Sequence, residues 1–145
     1  MIHKAMEKFY VFVSSEDSLE HFGDYSGGQF GVQFPRTYPM KDKLECALLN
    51  VSFVPAFETH TRRVYVCGDF VGNYSYVENS YQPILQSVGI LHEELTDVTF
   101  ERPIYHETNT FQFYQLEITL KDDPLRVCRL KEDHVFCLLQ FCKRQ

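Results

Sequence analysis

Residues 43–54 read KLECALLNVSFV, a strand-length run that is apolar at both odd and even positions. Successive side chains of a strand point to opposite faces of its sheet. Strict alternation gives one face Leu44, Cys46, Leu48 and Asn50, and the other face Ala47, Leu49, Val51 and Phe53. A strand that is apolar on both faces is typical of a sheet interior or an interface. We therefore expect residues 43–54 to form a central strand.

Seven further apolar segments are separated by polar residues, glycine or proline. They are residues 9–14 (FYVFVS), 29–34 (QFGVQF), 63–71 (RVYVCGDFV), 81–88 (YQPILQSV), 97–102 (DVTFER), 111–120 (FQFYQLEITL) and 134–142 (HVFCLLQFC). Pro35 and Pro39 predict a turn after the second strand, and Pro83 predicts an edge strand at 81–88. Residues 72–80 are expected to form a polar loop that carries tyrosines.

Short strands joined by turns, with no amphipathic helix between them, indicate a sandwich or a barrel. About eight strands over 145 residues predict an all-β fold, a two-sheet antiparallel β-sandwich of the jelly-roll type. An immunoglobulin-like sandwich is the alternative. The length and the absence of a linker or repeat predict one β-sandwich domain over residues 1–145.

The composition favours strands and disfavours some partners. Thirteen Phe and nine Tyr make the chain 15% aromatic, although it has no Trp. Phe, Tyr and Val are strand-forming residues. The net charge of -6 argues against direct binding of nucleic acid or of an anionic membrane. More rings are present than short strands hide comfortably, so some are expected at contacts between subunits.

Targeting signals and disulfides are not expected. The sequence contains no run of about 18 apolar residues, and its first apolar stretch is too short for a signal peptide. The five cysteines include no C-x-x-C pair. Cys137 and Cys142 are five residues apart, so on one strand they face opposite ways. We expect reduced, mostly buried thiols in a protein that is made and kept in the cytosol.

The sequence predicts no catalytic, cofactor or metal site. None of the six histidines stands at metal-ligand spacing, and His92-Glu93-Glu94 lacks the second histidine of a zinc protease helix. A cysteine nucleophile would need a histidine base nearby. A long-range pair such as Cys67 with His106 stays open on the sequence alone. We therefore expect a structural or binding protein rather than an enzyme.

Three blocks in order resemble a protein of Maverick/Polinton elements and related adintovirus-like DNA viruses of invertebrates. The first block is Phe9-Tyr10-Val11 followed by QFGVQFP (29–35) and LECALLNVSF (44–53). The second is VYVCGDFV (64–71) followed by YQPILQSV (81–88). The third is FERPIY (100–105), then LEITLKDD (116–123), then VFCLLQFCKR (135–144). Together the blocks span nearly the whole chain.

The resemblance implies a small jelly-roll capsid subunit, of the penton-like or minor kind that forms pentamers at the vertices of a virion. Its partners would be copies of itself and other capsid proteins. Closed cyclic symmetry needs one surface patch to meet a different patch on the neighbour. The candidate subunit contacts are the aromatic residues Tyr38, Phe57, Tyr74, Tyr76 and Tyr81. The alternative is a monomeric β-sandwich that binds a peptide or a glycan through its Tyr-rich loops.

Overall fold

The computed structural model describes residues 8–15, 28–39, 44–55, 63–90, 95–108, 112–122, 125–128, 130 and 135–143. Eleven β-strands form the regular structure of these residues. They are β1 (Lys8–Ser14), β2 (Gln29–Pro39), β3 (Leu44–Phe53), β4 (Arg63–Gly68), β5 (Ser75–Val77), β6 (Ser80–Gln82), β7 (Ile84–Gly89), β8 (Thr96–Thr99), β9 (His106–Glu107), β10 (Gln112–Lys121) and β11 (Phe136–Lys143). The prediction of an all-β fold is confirmed.

Two antiparallel sheets make up the sandwich. The first sheet has the strand order β1-β11-β3-β8, and β9 also pairs with β3. The second sheet has the order β2-β10-β4-β7, and β5 pairs with β6 alone. The expected central position of β3 is confirmed, since it lies between β11 and β8.

The strand order defines a jelly roll. Without the three shortest strands, β5, β6 and β9, the remaining strands pair as first with last, second with second-to-last, and so on inward. These pairs are β1–β11, β2–β10, β3–β8 and β4–β7, and all are antiparallel. One long hairpin that is rolled into two sheets has this connectivity. The expected jelly-roll type is therefore confirmed.

One hydrophobic core lies between the two sheets and takes alternate residues from their strands. On β10 the side chains of Leu116, Ile118 and Leu120 are fully buried. Their counterparts on β11 are Cys137, Leu139 and Phe141, which are also fully buried. The Phe141 ring stacks on Phe9 at 5.1 Å and contacts Phe70 at 5.7 Å, so the core joins both sheets.

The two predicted faces of β3 are wrong beyond Leu48. Leu139 of β11 is opposite Leu48, but the next inward residue, Cys137, is opposite Val51. The register shift inserts an extra residue at this point, as a β-bulge does. Val51 and Phe53 therefore join the core face with Cys46 and Leu48, while Asn50 faces outward.

The predicted turn at Pro35 to Pro39 is also wrong, because β2 continues through both prolines to Pro39. β2 is an edge strand that pairs only with β10, and an edge strand has main-chain N–H groups that need no ladder partner. Residues 81–88 divide at Pro83 into β6 and β7, and β7 is an edge strand as expected.

The loop expected at 72–80 contains a hairpin. β5 and β6 pair with Val77 opposite Ser80. The two residues between them, Glu78 and Asn79, have φ values of 48° and 63°. A two-residue hairpin turn of type I′ requires positive φ at both positions. The eleven strands exceed the expected eight because of this hairpin and the short β9.

Candidate subunit-contact surfaces

The outer face of the first sheet has an aromatic half next to its β1 edge. Tyr10 and Phe12 alternate with the buried Val11 and Val13, so both rings point away from the core. They are 47% and 61% exposed. Across the ladder Phe12 lies opposite Leu138, which is half-buried.

Phe136 completes this half, since its ring lies 6.0 Å from that of Phe12. We call Tyr10, Phe12, Phe136 and Leu138 the outer stripe. Side chains that lie directly opposite each other on two paired strands are held at a fixed spacing. The outer stripe is therefore a preformed apolar surface on a rigid sheet.

The other half of the same face is polar and satisfied within the sheet. The Asn50 amide nitrogen donates to Asp97 Oδ1 at 3.0 Å, to the Val98 carbonyl at 3.0 Å and to Thr99 Oγ1 at 3.1 Å. The second sheet is also polar outside, where half-buried Glu117 and Thr119 alternate with core residues of β10. Among the described strand residues of the two main sheets, the exposed large apolar side chains are therefore those of Tyr10 and Phe12.

A hydrogen-bonded chain borders the outer stripe. Tyr105 Oη donates to Gln140 Oε1 at 2.6 Å, and Gln140 Nε2 donates to Tyr10 Oη at 3.3 Å. Ala47 is the register partner of Gln140 on β3 and is fully buried although it faces outward. The Tyr105 side chain reaches Gln140 on this side of the sheet.

The second ring-bearing surface is the β5–β6 hairpin with the residue before it. Tyr74, Tyr76 and Tyr81 are 62–69% exposed. Tyr76 lies opposite Tyr81, and the two rings meet edge to face at 5.0 Å. The Tyr74 ring lies over Gly72, where a Cβ would overlap it. We call these three residues the hairpin tyrosines.

The remaining two candidate contacts are Tyr38 and Phe57. Tyr38 lies in β2 with its backbone opposite Phe113 of β10. Phe57 lies outside the described residues. The structure thus brings together Tyr74, Tyr76 and Tyr81 from the sequence-based set.

The outer stripe was missed in the sequence, although a signal for it exists. Residues 9–13 (FYVFV) are apolar at both odd and even positions, which is the pattern that indicated a central strand or an interface at 43–54. β1 is an edge strand. When an edge strand is apolar on both faces, one face packs on the core and the other face remains available for contact with another protein.

Three buried thiols of the described residues, those of Cys46, Cys67 and Cys137, are poor nucleophiles. Burial raises the pKa of the Cys46 and Cys137 thiols well above the usual range. Burial also raises the pKa of Cys67 to about 11, against the smaller opposite effect of the Lys121 ammonium. The thiolate is the reactive form of cysteine, so these side chains behave as apolar groups.

The open Cys67–His106 pair gains no support. Cys67 Sγ donates to the Tyr65 carbonyl at 4.0 Å, whereas His106 Nε2 donates to the Leu85 carbonyl at 2.9 Å. Among the described residues no three His, Cys, Asp or Glu side chains are grouped so that they could hold a metal ion. None of these residues belongs to a helix that could span a bilayer.

Fold and surfaces together define a jelly-roll β-sandwich with two exposed aromatic surfaces. Neither a family model nor a curated protein matches the chain. Among solved structures it is similar to the cryo-EM structure of the giant freshwater prawn Macrobrachium rosenbergii extra small virus (XSV) VLP. The identity is 9%, the TM-score is 0.33, and the match covers 100% of this chain and 84% of that chain. No family is assigned to the chain.

Proposed function

We propose that the protein is a structural subunit of a viral capsid, of the minor or penton type, that assembles with copies of itself. The jelly roll is a common architecture of capsid domains. The resemblance of three sequence blocks to a Maverick/Polinton capsid component supports the same role. The protein would be located in the virion and synthesised in the host cytoplasm or nucleus. Its further partners would be other capsid proteins.

The observation that carries the proposal is the presence of two separate ring-bearing surfaces. One surface, the outer stripe, lies on the first sheet, and the other, the hairpin tyrosines, lies on a hairpin between β4 and β7. A single head-to-tail contact can close a ring, and a shell needs a further contact to join such rings. Apolar surfaces of this kind mark protein contacts more often than they remain in water.

The hairpin tyrosines suit the head-to-tail contact of a ring. Their rings are rigid and amphipathic, and such residues dominate the binding energy of interfaces. Because β5 and β6 pair only with each other among the described strands, the hairpin can dock on a neighbour without disturbing either main sheet. No residue of this surface has a catalytic role in the proposal.

A second candidate function rests on the same hairpin. The edge-to-face pair of Tyr76 and Tyr81 at 5.0 Å is a surface on which a peptide or a sugar ring could stack. A monomeric binding module of this kind would use the hairpin tyrosines alone. The outer stripe has no role in it.

Imaging of the purified protein separates the two candidates. Negative-stain electron microscopy of a capsid subunit is expected to show rings or closed particles of uniform size. Uniform particles no larger than one 17.1 kDa chain would contradict the capsid proposal. Binding of peptide or glycan probes to such a monomer would then support the second candidate.

A further inference from the structure

Among the described strands, β1 is an edge strand that lacks most of the usual protection of an edge. Its seven residues pair with β11 in an unbroken register, from Lys8 opposite Cys142 to Ser14 opposite Phe136. It contains no proline, glycine or carboxylate, and Lys8 is its one charge. Exposed edges are normally blunted because unpaired N–H and C=O groups are a template for another strand.

The other three edge strands of the two main sheets show such protection. β2 contains Pro35 and Pro39. β7 begins directly after Pro83 and pairs with β4 through a register shift. β8 has four residues and carries Asp97. β1 is therefore the edge of the described sheets that is best suited to accept a further strand.

The hydrogen-bond pattern of β1 fixes which main-chain groups face outward. Ser15 N donates to the Val135 carbonyl at 3.0 Å, and the pair continues the register of β1 with β11. Hydrogen-bonded and non-hydrogen-bonded pairs alternate in an antiparallel ladder. Val11 and Val13 therefore bond to β11, while the N–H and C=O groups of Tyr10 and Phe12 point away from the sheet.

We propose that β1 pairs antiparallel with β1 of a second copy of this chain, about a two-fold axis at Val11. This inference deepens the proposed self-assembly and rests on it. The axis places Tyr10 of one copy opposite Phe12 of the other, and both residues present outward main-chain groups. Each of the two Tyr10–Phe12 pairs then exchanges two main-chain hydrogen bonds, as a hydrogen-bonded antiparallel pair does.

The side chains of β1 fit a second copy as the occupant. In the same register the rings of Tyr10 and Phe12 form cross-strand aromatic pairs, which stabilise a sheet. Lys8 lies opposite Ser14, so no like charges meet. The chain has a net charge of -6, yet β1 has no carboxylate, so two copies meet where their repulsion is small.

The pairing also extends the outer stripe. Tyr10 and Phe12 belong to both the edge and the outer face of the first sheet. Pairing at β1 would make the outer stripes of two copies continuous across the axis. A head-to-tail ring built through the hairpin tyrosines leaves every β1 edge available, so the two-fold contact would join one ring to another.

Two substitutions at one position separate edge pairing from contact through the ring alone. Phe12→Thr removes the ring and keeps the outward N–H, whereas Phe12→Pro removes both. Proline is tolerated at an edge position whose N–H has no partner in its own sheet. Leu95→Thr is the matched control, because Leu95 is an exposed apolar residue on neither surface. Sedimentation velocity over a concentration series measures association.

Edge pairing predicts that the dissociation constant of Phe12→Pro is about tenfold higher than that of Phe12→Thr, because proline also removes main-chain hydrogen bonds. Leu95→Thr is expected to associate like the wild type. Hydrogen exchange of the wild-type protein gives a second measurement that does not depend on how the variants fold. The amides of Tyr10 and Phe12 are expected to gain protection as the protein associates.

Three kinds of result would overturn the inference in distinguishable ways. Association of the wild-type protein without protection of the Tyr10 and Phe12 amides would overturn edge pairing and leave self-assembly standing. Equal association of the two Phe12 variants would have the same consequence. Protection of a second edge strand together with β1 would show a head-to-tail contact and overturn the two-fold axis. A wild-type protein that remains monomeric at every concentration would overturn both proposals.

Discussion

Replacement of Tyr81 by threonine tests the hairpin tyrosines as a subunit contact. Tyr81 is 65% exposed, and a fully enclosed tyrosine buries roughly 200 Å². About 130 Å² is therefore available to a neighbour. If a contact covers half of this area, the ring contributes about 1.6 kcal/mol at ~25 cal/mol per Å², which is a ~15-fold change in the dissociation constant.

The fold should tolerate this change. Threonine is a strand former, and the loss of the ring contact with Tyr76 costs about 1 kcal/mol within the hairpin. β5 and β6 pair only with each other, so the two main sheets keep their ladders and the thermal midpoint should shift little.

Analytical ultracentrifugation of wild type, Tyr81→Thr and the Leu95→Thr control gives the three dissociation constants. We expect Tyr81→Thr to weaken association by roughly 15-fold and Leu95→Thr to leave it unchanged. If the constant of Tyr81→Thr stays within about twofold of the wild type, the hairpin is not a contact and the reasoning from its exposure fails.

Three further predictions concern the fold and its titratable groups. Asp69 is exposed as a residue, but partial burial of its carboxyl group raises the pKa above 3.8 against the hydrogen bond from the Glu117 N–H. The folded state therefore binds the proton more tightly than the unfolded state does. Stability should therefore fall as the pH rises from 3.8 through the folded pKa, and denaturant titrations of Asp69→Asn should lack this slope. Gly68→Ala would place a Cβ at 2.7 Å from the Phe70 ring, so urea unfolding should show a loss of about 1–3 kcal/mol, and an unchanged midpoint would contradict the close packing. Cys142 is half-buried, whereas the other four cysteines are buried, so a thiol reagent should modify Cys142 first in the folded protein. Modification should be faster at higher pH, because burial and then Glu45 raise the pKa of this thiol. Mass mapping that finds Cys137 labelled first would contradict this order.

Much of the fold follows from alternation, because burial forces apolar residues onto one face of a strand. On β10 the buried residues Leu116, Ile118 and Leu120 alternate with Glu117 and Thr119, and this alternation is visible in the sequence. Alternation fails on β3, where the bulge after Leu48 moves Val51 to the core face. A bulge arises from the pairing of two strands distant in sequence, and the local pattern of either strand carries no sign of it.

Prolines were misinterpreted for a related reason. Pro35 lacks an N–H group, and this ends a strand only where that N–H would have had a partner in the ladder. The position of β2 at the sheet edge decides this question. The turn at Glu78 and Asn79 was not predicted because it contains no glycine, which is the usual residue at positive φ.

The contact surfaces were predicted only in part. Tyr76 and Tyr81 could be grouped from the sequence because they are close along the chain. The outer stripe could not, since Phe12 and Phe136 meet only after β1 pairs with β11. Surfaces assembled from the two ends of a chain require the strand order, which no local pattern contains.

The mass of the wild-type protein in solution tests the central claim most directly. Multi-angle light scattering over a concentration series is expected to show masses that rise well above 17.1 kDa towards a defined closed assembly. A constant mass of one chain up to the limit of solubility would contradict the claim that the aromatic surfaces join copies of this protein.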